Sequence, residues 1–290
     1  YPIIQFSNLR FKMKIAVIGK NGQLASCIKE VAPERLDIAF YGSDEVDITR
    51  SDTYESLASS DLIINCSAYT AVDKAEEFPE DAFSVNRMGV IQLVDFCERH
   101  QIKLIHFSTD FVFSGESNTP YHENDFTGPK SVYGASKLAG EEVILQSSLL
   151  ALVIRTSWLY SPYGHNFYKT MLKLGSERSK LSVVADQIGT PTSALDLART
   201  VFKIIEKGLP ETPELLHISN TGQCSWADFA REIFRQKGIS VTVNDTTTET
   251  FNAPAKRPEY SVLSTEKLLF KYGIAMRPWK GALSEVLKRL

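Results

Sequence analysis

Five short apolar runs recur along the first half of the chain: "KIAVIG" (14–19), "LDIAFYG" (36–42), "DLIINCSA" (61–68), "IKLIHFST" (102–109) and "LALVIRTS" (150–157). Each is rich in β-branched or aromatic residues, nearly continuous in its apolar character, and too short for a buried helix. A strand that is apolar on both faces needs cover on both faces, which is the situation of a parallel sheet. Helical patterns lie between the runs, as in 81–101, where Val85, Val90, Leu93, Val94 and Cys97 fall near one face. Repeated β-α alternation with right-handed crossovers predicts an α/β fold built on a doubly wound parallel sheet.

Past residue 157 the rhythm changes. "HNFYKTMLKLGSER" and "SALDLARTVFKIIEKG" carry apolar residues three and four apart, and "SWADFAREIFRQKG" adds a helix with Ser225 at its N-cap and Gly238 as its stop. The expected organisation is a leader or cloning remnant over 1–12, before Met13, and a dinucleotide-binding domain over 13–157. Segments near 181–206 and 213–219 complete its sheet. A smaller, mostly helical C-terminal substrate lobe takes 158–180 and 220–290.

The net charge of −3 gives no electrostatic case for nucleic acid or an anionic membrane as partner. No apolar run reaches the 18 or so residues of a spanning helix, and 1–12 lacks the core of a secretory signal. Cys27, Cys66, Cys97 and Cys224 form no C-x-x-C pair, so reduced thiols in a cytoplasmic protein are expected. No histidine spacing suggests a metal site. The "NCS" acceptor pattern at Asn65 ends a buried strand and is set aside.

Directly after the first run stands "GKNGQLAS", with Gly19, Gly22 and then Ala25. In a strand–turn–helix context the first glycine permits a tight turn and the second lets backbone N–H groups approach a pyrophosphate; the third position needs only a small side chain. The first apolar run thus becomes the entry to a Rossmann-type, dinucleotide-binding sheet. The second run ends at Tyr41, Gly42 and Ser43, with carboxylates only at Asp44 and Glu45. A carboxylate at that end grips an adenosine ribose and repels a 2′-phosphate; its absence favours NADPH over NADH, with Asp44 keeping NADH open.

The fourth run ends at Ser108, Thr109 and Asp110, at the edge where open parallel sheets bind ligands. Tyr133 and Lys137 follow, one helical turn apart. Hydride delivery to a ketone leaves an alkoxide that needs a proton. A phenol supplies it when a nearby ammonium stabilises the phenolate, and a Ser or Thr hydroxyl orients the carbonyl. Gly134, Ala135 and Ser136 read as clearance for a nicotinamide ring. Y-x-x-x-K alone is a weak signal; behind the glycine turn and the Ser-Thr pair it is a specific one.

On "GKNGQLA", "NCSAYTAVDKAEE", "STDFVF", "VYGASKLAGE", "RTSWLY", "NFYKTML", "SVVADQIGTPT" and "RPEYSVL" the chain resembles the extended short-chain dehydrogenases/reductases, and among them the dTDP-4-dehydrorhamnose reductases, from 19 to about 263. The resemblance implies NADPH-dependent reduction of a dTDP-sugar ketone for cell-surface polysaccharide synthesis. It implies Thr109, Tyr133 and Lys137 as the catalytic triad. Gly19, Asn21, Gly22, Gln23, Leu24, Asp47, Ile48, Ala68, Tyr69 and Thr70 would line the cofactor together with Tyr133 and Lys137. Asp110, Trp158, Asn166 and Arg257 would face the sugar nucleotide. The family also leaves a homodimer open. Cys27 stands where some members carry a glutamate for a magnesium-linked dimer, so magnesium is not expected to be essential. Phe111 stands where a tyrosine often follows Thr-Asp.

A 4,6-dehydratase needs a further acid where Phe111 stands. A 4-epimerase reuses the triad, and "RTSWLY" and "TAVDKAE" favour the reductase over it. A non-catalytic NADP-binding subunit, similar to the regulatory subunit of methionine adenosyltransferase, is the alternative of another class.

Overall fold

In a computed structural model that describes residues 13–289, the five apolar runs are β1 (Lys14–Ile18), β2 (Asp37–Tyr41), β3 (Leu62–Asn65), β4 (Lys103–Thr109) and β5 (Ala151–Thr156). The leader expected over 1–12 lies outside the described residues. Later strands are β6 (Leu159–Tyr160), β7 (Lys180–Val184), β8 (Ile188–Gly189), β9 (Thr192–Ser193), β10 (Glu214–His217), β11 (Cys224–Ser225) and β12 (Thr242–Thr246). The main sheet runs β10-β5-β4-β3-β1-β2, with every pair parallel. The chain leaves β1 to one side for β2 and returns to the other for β3. The carboxyl ends of β1 and β3 therefore flank the switch point where such sheets hold ligands.

The helices are α1 (Gln23–Val31), α2 (Val72–Glu77), α3 (Pro79–Phe83), α4 (Gly89–His100), α5 (Val132–Leu145), α6 (Phe167–Glu177), α7 (Ala194–Lys207), α8 (Trp226–Lys237), α9 (Thr248–Phe251), α10 (Glu266–Tyr272) and α11 (Trp279–Leu287). Side chains alternate across a strand, and the core divides accordingly. Ile15, Val17, Ile64, Ile105 and Ile154 pack towards α1 and α7, while Ala16, Ile18, Ile63, Leu104 and Val153 pack towards α4. The first of these clusters continues without a break to Phe229 of α8 and Leu283 of α11, so the C-terminal lobe shares its core with the sheet. No helix of the described residues is long and apolar enough to cross a membrane.

Three expectations need correction. β2 is an edge strand and is only partly covered, unlike the central runs. The segment near 181 does not complete the main sheet. β7 alternates exposed and buried side chains, so only one of its faces is apolar, and it pairs in parallel with β12 of the C-terminal lobe. The neighbouring 194–207 stretch is helix α7, and β10 is the strand that extends the sheet beside β5. Finally, the helical stretch over 81–101 is interrupted: a π turn, Ser84–Met88, separates α3 from α4.

α8 shows its ends as its sequence suggests. Ser225 and Asp228 form a capping box, and Gly238 closes the helix at φ 69°. Beyond α9 the chain turns back across the sheet's carboxyl edge, with bridges Ile188 to Tyr260 and Tyr121 to Leu263. Gly115, at φ 82°, lies so close to Pro258 and Glu259 that a side chain there would strike their backbone.

Candidate active site

At the switch point the chain leaves β1 through Gly19, at φ 87°, whose N–H donates to the Tyr41 carbonyl of β2. A Cβ at Gly19 would lie 2.8 Å from the Ser67 nitrogen, so the β3 loop and the glycine turn touch backbone to backbone. Gly22 is the N-cap of α1, and no side chain caps that end. Its first N–H groups are therefore free for an anion, with the helix dipole behind them. Asn21 and Gly22 are exposed, Gln23 is half-buried, and Leu24 is buried in the core beneath. These features fit a dinucleotide pyrophosphate.

Asp47 accepts from both the amide and the hydroxyl of Thr49, and buried Ile48 packs on Gly89. Lys20 forms an ion pair with Glu45 and lies 3.9 Å from Asp44. Glu45 also accepts from the Gly42 amide at 3.0 Å. The carboxylates that follow β2 thus come with a cation from the glycine turn.

Ala68, Tyr69 and Thr70 form the loop beyond β3. Asn86, in the π turn, holds that loop: its Oδ1 accepts from the Tyr69 amide at 2.9 Å, and its Nδ2 donates to the Tyr69 carbonyl at 3.1 Å. The same Nδ2 donates to Ser136 Oγ of α5 at 2.9 Å. The wider turn, with its i→i+5 pattern, aims Asn86 inward. Sequence inspection gives Asn86 no prominence, and only a break in the apolar spacing after Val85 hints at the turn.

Thr109, Tyr133 and Lys137 come together where β4 ends against α5. Thr109 Oγ1 caps the turn by accepting from the Phe111 amide at 3.2 Å and donates to Asp110 Oδ1 at 3.1 Å. Burial pushes the Tyr133 phenol up to about 12, while the facing Thr109 side chain pulls it back. Lys137 is almost wholly buried at 1% exposure, and burial draws its amine down to about 8 against the pull of Glu141 one turn on. Glu141 makes a buried bidentate pair with Arg155 of β5, which clamps α5 to the sheet. The Phe111 ring stands edge-on to Tyr133, 5.8 Å between centroids.

Asp110 is buried, and burial raises its carboxyl to about 7. Its Oδ2, with Ser108 Oγ and Thr156 Oγ1 at the ends of β4 and β5, has no partner among the described residues.

The remaining expected sugar contacts are dispersed. Trp158, at φ 45°, lies flat on Trp226, with ring centroids 3.6 Å apart. Arg257 pairs with Asp73 of α2 at 2.8 Å. Asn166 caps α6 through Lys169 and donates to Gln23 Oε1 at 3.2 Å and the Ser161 carbonyl at 2.9 Å. Through Nδ2 it braces the cofactor turn.

The small residues after Tyr133 also serve differently than expected. A Cβ at Gly134 would run into the Phe111 carbonyl, and Ser136 is fully buried against Asn86. Two of the three are small so that α5 can sit close to protein, not to leave room for a ring.

The RmlD substrate binding domain family matches residues 13–290. The chain belongs to that family. Its similarity to the dTDP-4-dehydrorhamnose reductase of Sinorhizobium fredii is 41% identity over 279 residues, covering 92% of this chain and 94% of the relative. The structure of the Bacillus anthracis dTDP-4-dehydrorhamnose reductase in complex with NADP superposes with a TM-score of 0.92 at 37% identity, covering 96% of this chain and 100% of that one. The Clostridium acetobutylicum reductase gives 0.90 at 40% identity, covering 96% and 99%. As in that family, the sheet is of Rossmann type, and Thr109 stands at the carboxyl end of β4.

Proposed function

We propose that this chain reduces the C4 ketone of dTDP-4-dehydro-L-rhamnose to give dTDP-L-rhamnose, using NADPH, as a supply for cell-surface polysaccharide. The observation that carries the reading is the meeting of Thr109, Tyr133 and Lys137 with the uncapped α1 terminus, in a chain of the reductase family.

The bound nicotinamide supplies the hydride. Gly19 and Gly22 let the backbone approach the pyrophosphate, and Asn86 holds the 68–70 loop beside it. The Thr109 hydroxyl turns from Asp110 to donate to the ketone oxygen. A phenol held protonated at neutral pH is suited to act as an acid, so Tyr133 gives its proton to O4 as the alkoxide forms. The phenolate is stabilised by Lys137 and regains a proton from solvent. Asp110, Trp158 and Arg257 orient the sugar nucleotide. Phe111 beside Tyr133 offers no second acid, which sets the site apart from a dehydratase.

The Bacillus anthracis relative that holds NADP supports NADPH as the hydride donor here. The test is NADPH oxidation by the purified protein with dTDP-4-dehydro-L-rhamnose, with the product identified by NMR. Stoichiometric formation of dTDP-L-rhamnose is expected. Tight NADPH binding without turnover of this ketone would overturn the reading and leave a cofactor-binding subunit.

A further inference from the structure

Trp158 stands two residues past β5 with its backbone in the left-handed region, φ 45°, which a bulky side chain rarely adopts. Its carbonyl accepts from the Thr192 amide at 3.2 Å, and β6 begins at the next residue. The ring lies flat on Trp226 of α8, with 3.6 Å between centroids and 7° between planes. A Cβ on Gly189 of β8 would stand 2.4 Å from Trp158 Cε2 and 2.6 Å from Cζ2 and Nε1. An approach in the ring plane would bring Cζ2 or Nε1 nearer than Cε2, so Gly189 lies over the ring. A stacked indole leaves no room for backbone on its own side. Trp226 therefore takes one face of Trp158 and Gly189 the other.

These two covers are tied to each other. β8 and β11 pair antiparallel with Gly189 opposite Cys224, and Trp226 follows directly on β11. Trp226 Nε1 donates to Gln187 Oε1 at 3.2 Å, and the Gln187 Nε2 donates to Thr248 Oγ1 at 2.9 Å. Gln187 is buried, which shields both bonds from water. Phe167 of α6 packs on Trp226 as well, 4.6 Å between centroids. The result is a slot of fixed width that holds one indole. Gly189 is not among the residues with positive φ, so its backbone would accept alanine, and it is the Trp158 ring that requires glycine there.

We propose that Gly189 and Trp226 are positioning residues that clamp Trp158, so that the substrate's sugar meets the fixed rim of its indole and not a movable face. The inference rests on the place given to Trp158 in the sugar site and deepens it. With both faces taken, the rim is what a ligand can reach of this half-buried ring. A free indole would lose rotamer entropy when substrate ordered it, and the clamp removes that cost beforehand.

The test is a double-mutant cycle in the full chain between Gly189→Ala and Trp158→Phe. Phenylalanine lacks the fused ring that the added methyl would strike. Gly189→Ala alone should raise KM for dTDP-4-dehydro-L-rhamnose about tenfold, while the NADPH dissociation constant stays within about twofold. In the Trp158→Phe background the same change should move KM by less than about twofold. Equal effects in the two backgrounds, or no effect in the first, overturn the inference. If Gly189→Ala does not fold, Trp226→Leu decides the matter. It should raise KM in the same way, with Trp226→Phe recovering most of the loss by restoring a flat face, and a folded Trp226→Leu with wild-type KM overturns the clamp.

A second readout needs no turnover. The chain has three tryptophans, and in 15N-labelled protein the Trp158 indole N–H signal is assigned by its loss in Trp158→Phe. The ring current of Trp226 should displace that signal, and both Gly189→Ala and Trp226→Leu should move it towards the position of a free indole. A signal that stays in place overturns the clamp. If Trp158→Phe leaves KM unchanged, the sugar contact of Trp158 fails on its own, while the indole signal still decides whether the ring is clamped.

Discussion

Arg257 donates to Asp73 across 2.8 Å and so joins residues 184 apart in sequence, one on the returning C-terminal segment and one at the start of α2. The Arg257 guanidinium also holds the Asp73 carboxyl below its usual range. Because the pair is partly exposed, its loss should change stability by less than about 1 kcal/mol. Its place at the seam predicts a kinetic effect instead. Arg257→Met should raise KM for the sugar nucleotide severalfold while the dissociation constant for NADPH stays within about twofold. Initial-rate kinetics and fluorescence titration check both halves.

Tyr133→Phe removes the proposed acid and leaves the ring against Phe111. The rate of hydride transfer in a single turnover should fall by about two to four orders of magnitude. NADPH affinity should change little. Retained turnover would mean that another group delivers the proton.

Asn86→Ala strips the Tyr69 amide and carbonyl of their partner. Leaving such groups unpaired costs about 1–3 kcal/mol, and the 68–70 loop is freed from α5. The expected result is a lower Tm together with weaker NADPH binding, measured by thermal melts with and without cofactor. Ser136→Ala, which removes one bond of the set, should show the smaller change in both.

Acid should loosen a different corner. Hydrogen bonds from Arg199, and then from Arg277, hold the Glu285 carboxyl down at about 2. A carboxyl whose folded value lies below its unfolded one stabilises the fold above the unfolded value of about 4.5. That contribution is lost as pH falls from there towards about 2. Glu285→Gln should therefore be less stable than wild type at neutral pH, with the two melting temperatures converging towards pH 2. A gap that persists at low pH would show that packing, not charge, sets the difference.

What could be read from the letters depended on whether the physics was local. The runs of β1, β3, β4 and β5 announced themselves because a strand covered on both faces has no room for polar alternation, and Ser225 and Gly238 marked α8 because capping acts within a turn. The grouping of Thr109, Tyr133 and Lys137 was legible because Tyr133 and Lys137 are one turn apart and Thr109 ends a strand. Asn86 was not, since a π turn leaves no composition mark and its partners Tyr69 and Ser136 are distant in sequence. His106 read as one more residue of an apolar run, and its contact with Lys137 exists only because α5 crosses β4. The flat seat of Trp158 on Trp226 was not legible, because it depends on where α8 docks.

The returning segment also bears on the order in which the molecule can be made. A nascent chain that has emerged only as far as Asn252 already holds the glycine turn, Thr109, Tyr133 and Lys137. It still lacks Arg257 for Asp73, Tyr260 for Ile188 and Leu263 for Tyr121. Gly115 would likewise wait for Pro258 to cover it. On the ribosome the first strands of the sheet therefore emerge long before the segment that crosses their carboxyl ends, and the core they share with Phe229 and Leu283 is complete only once α11 has been made.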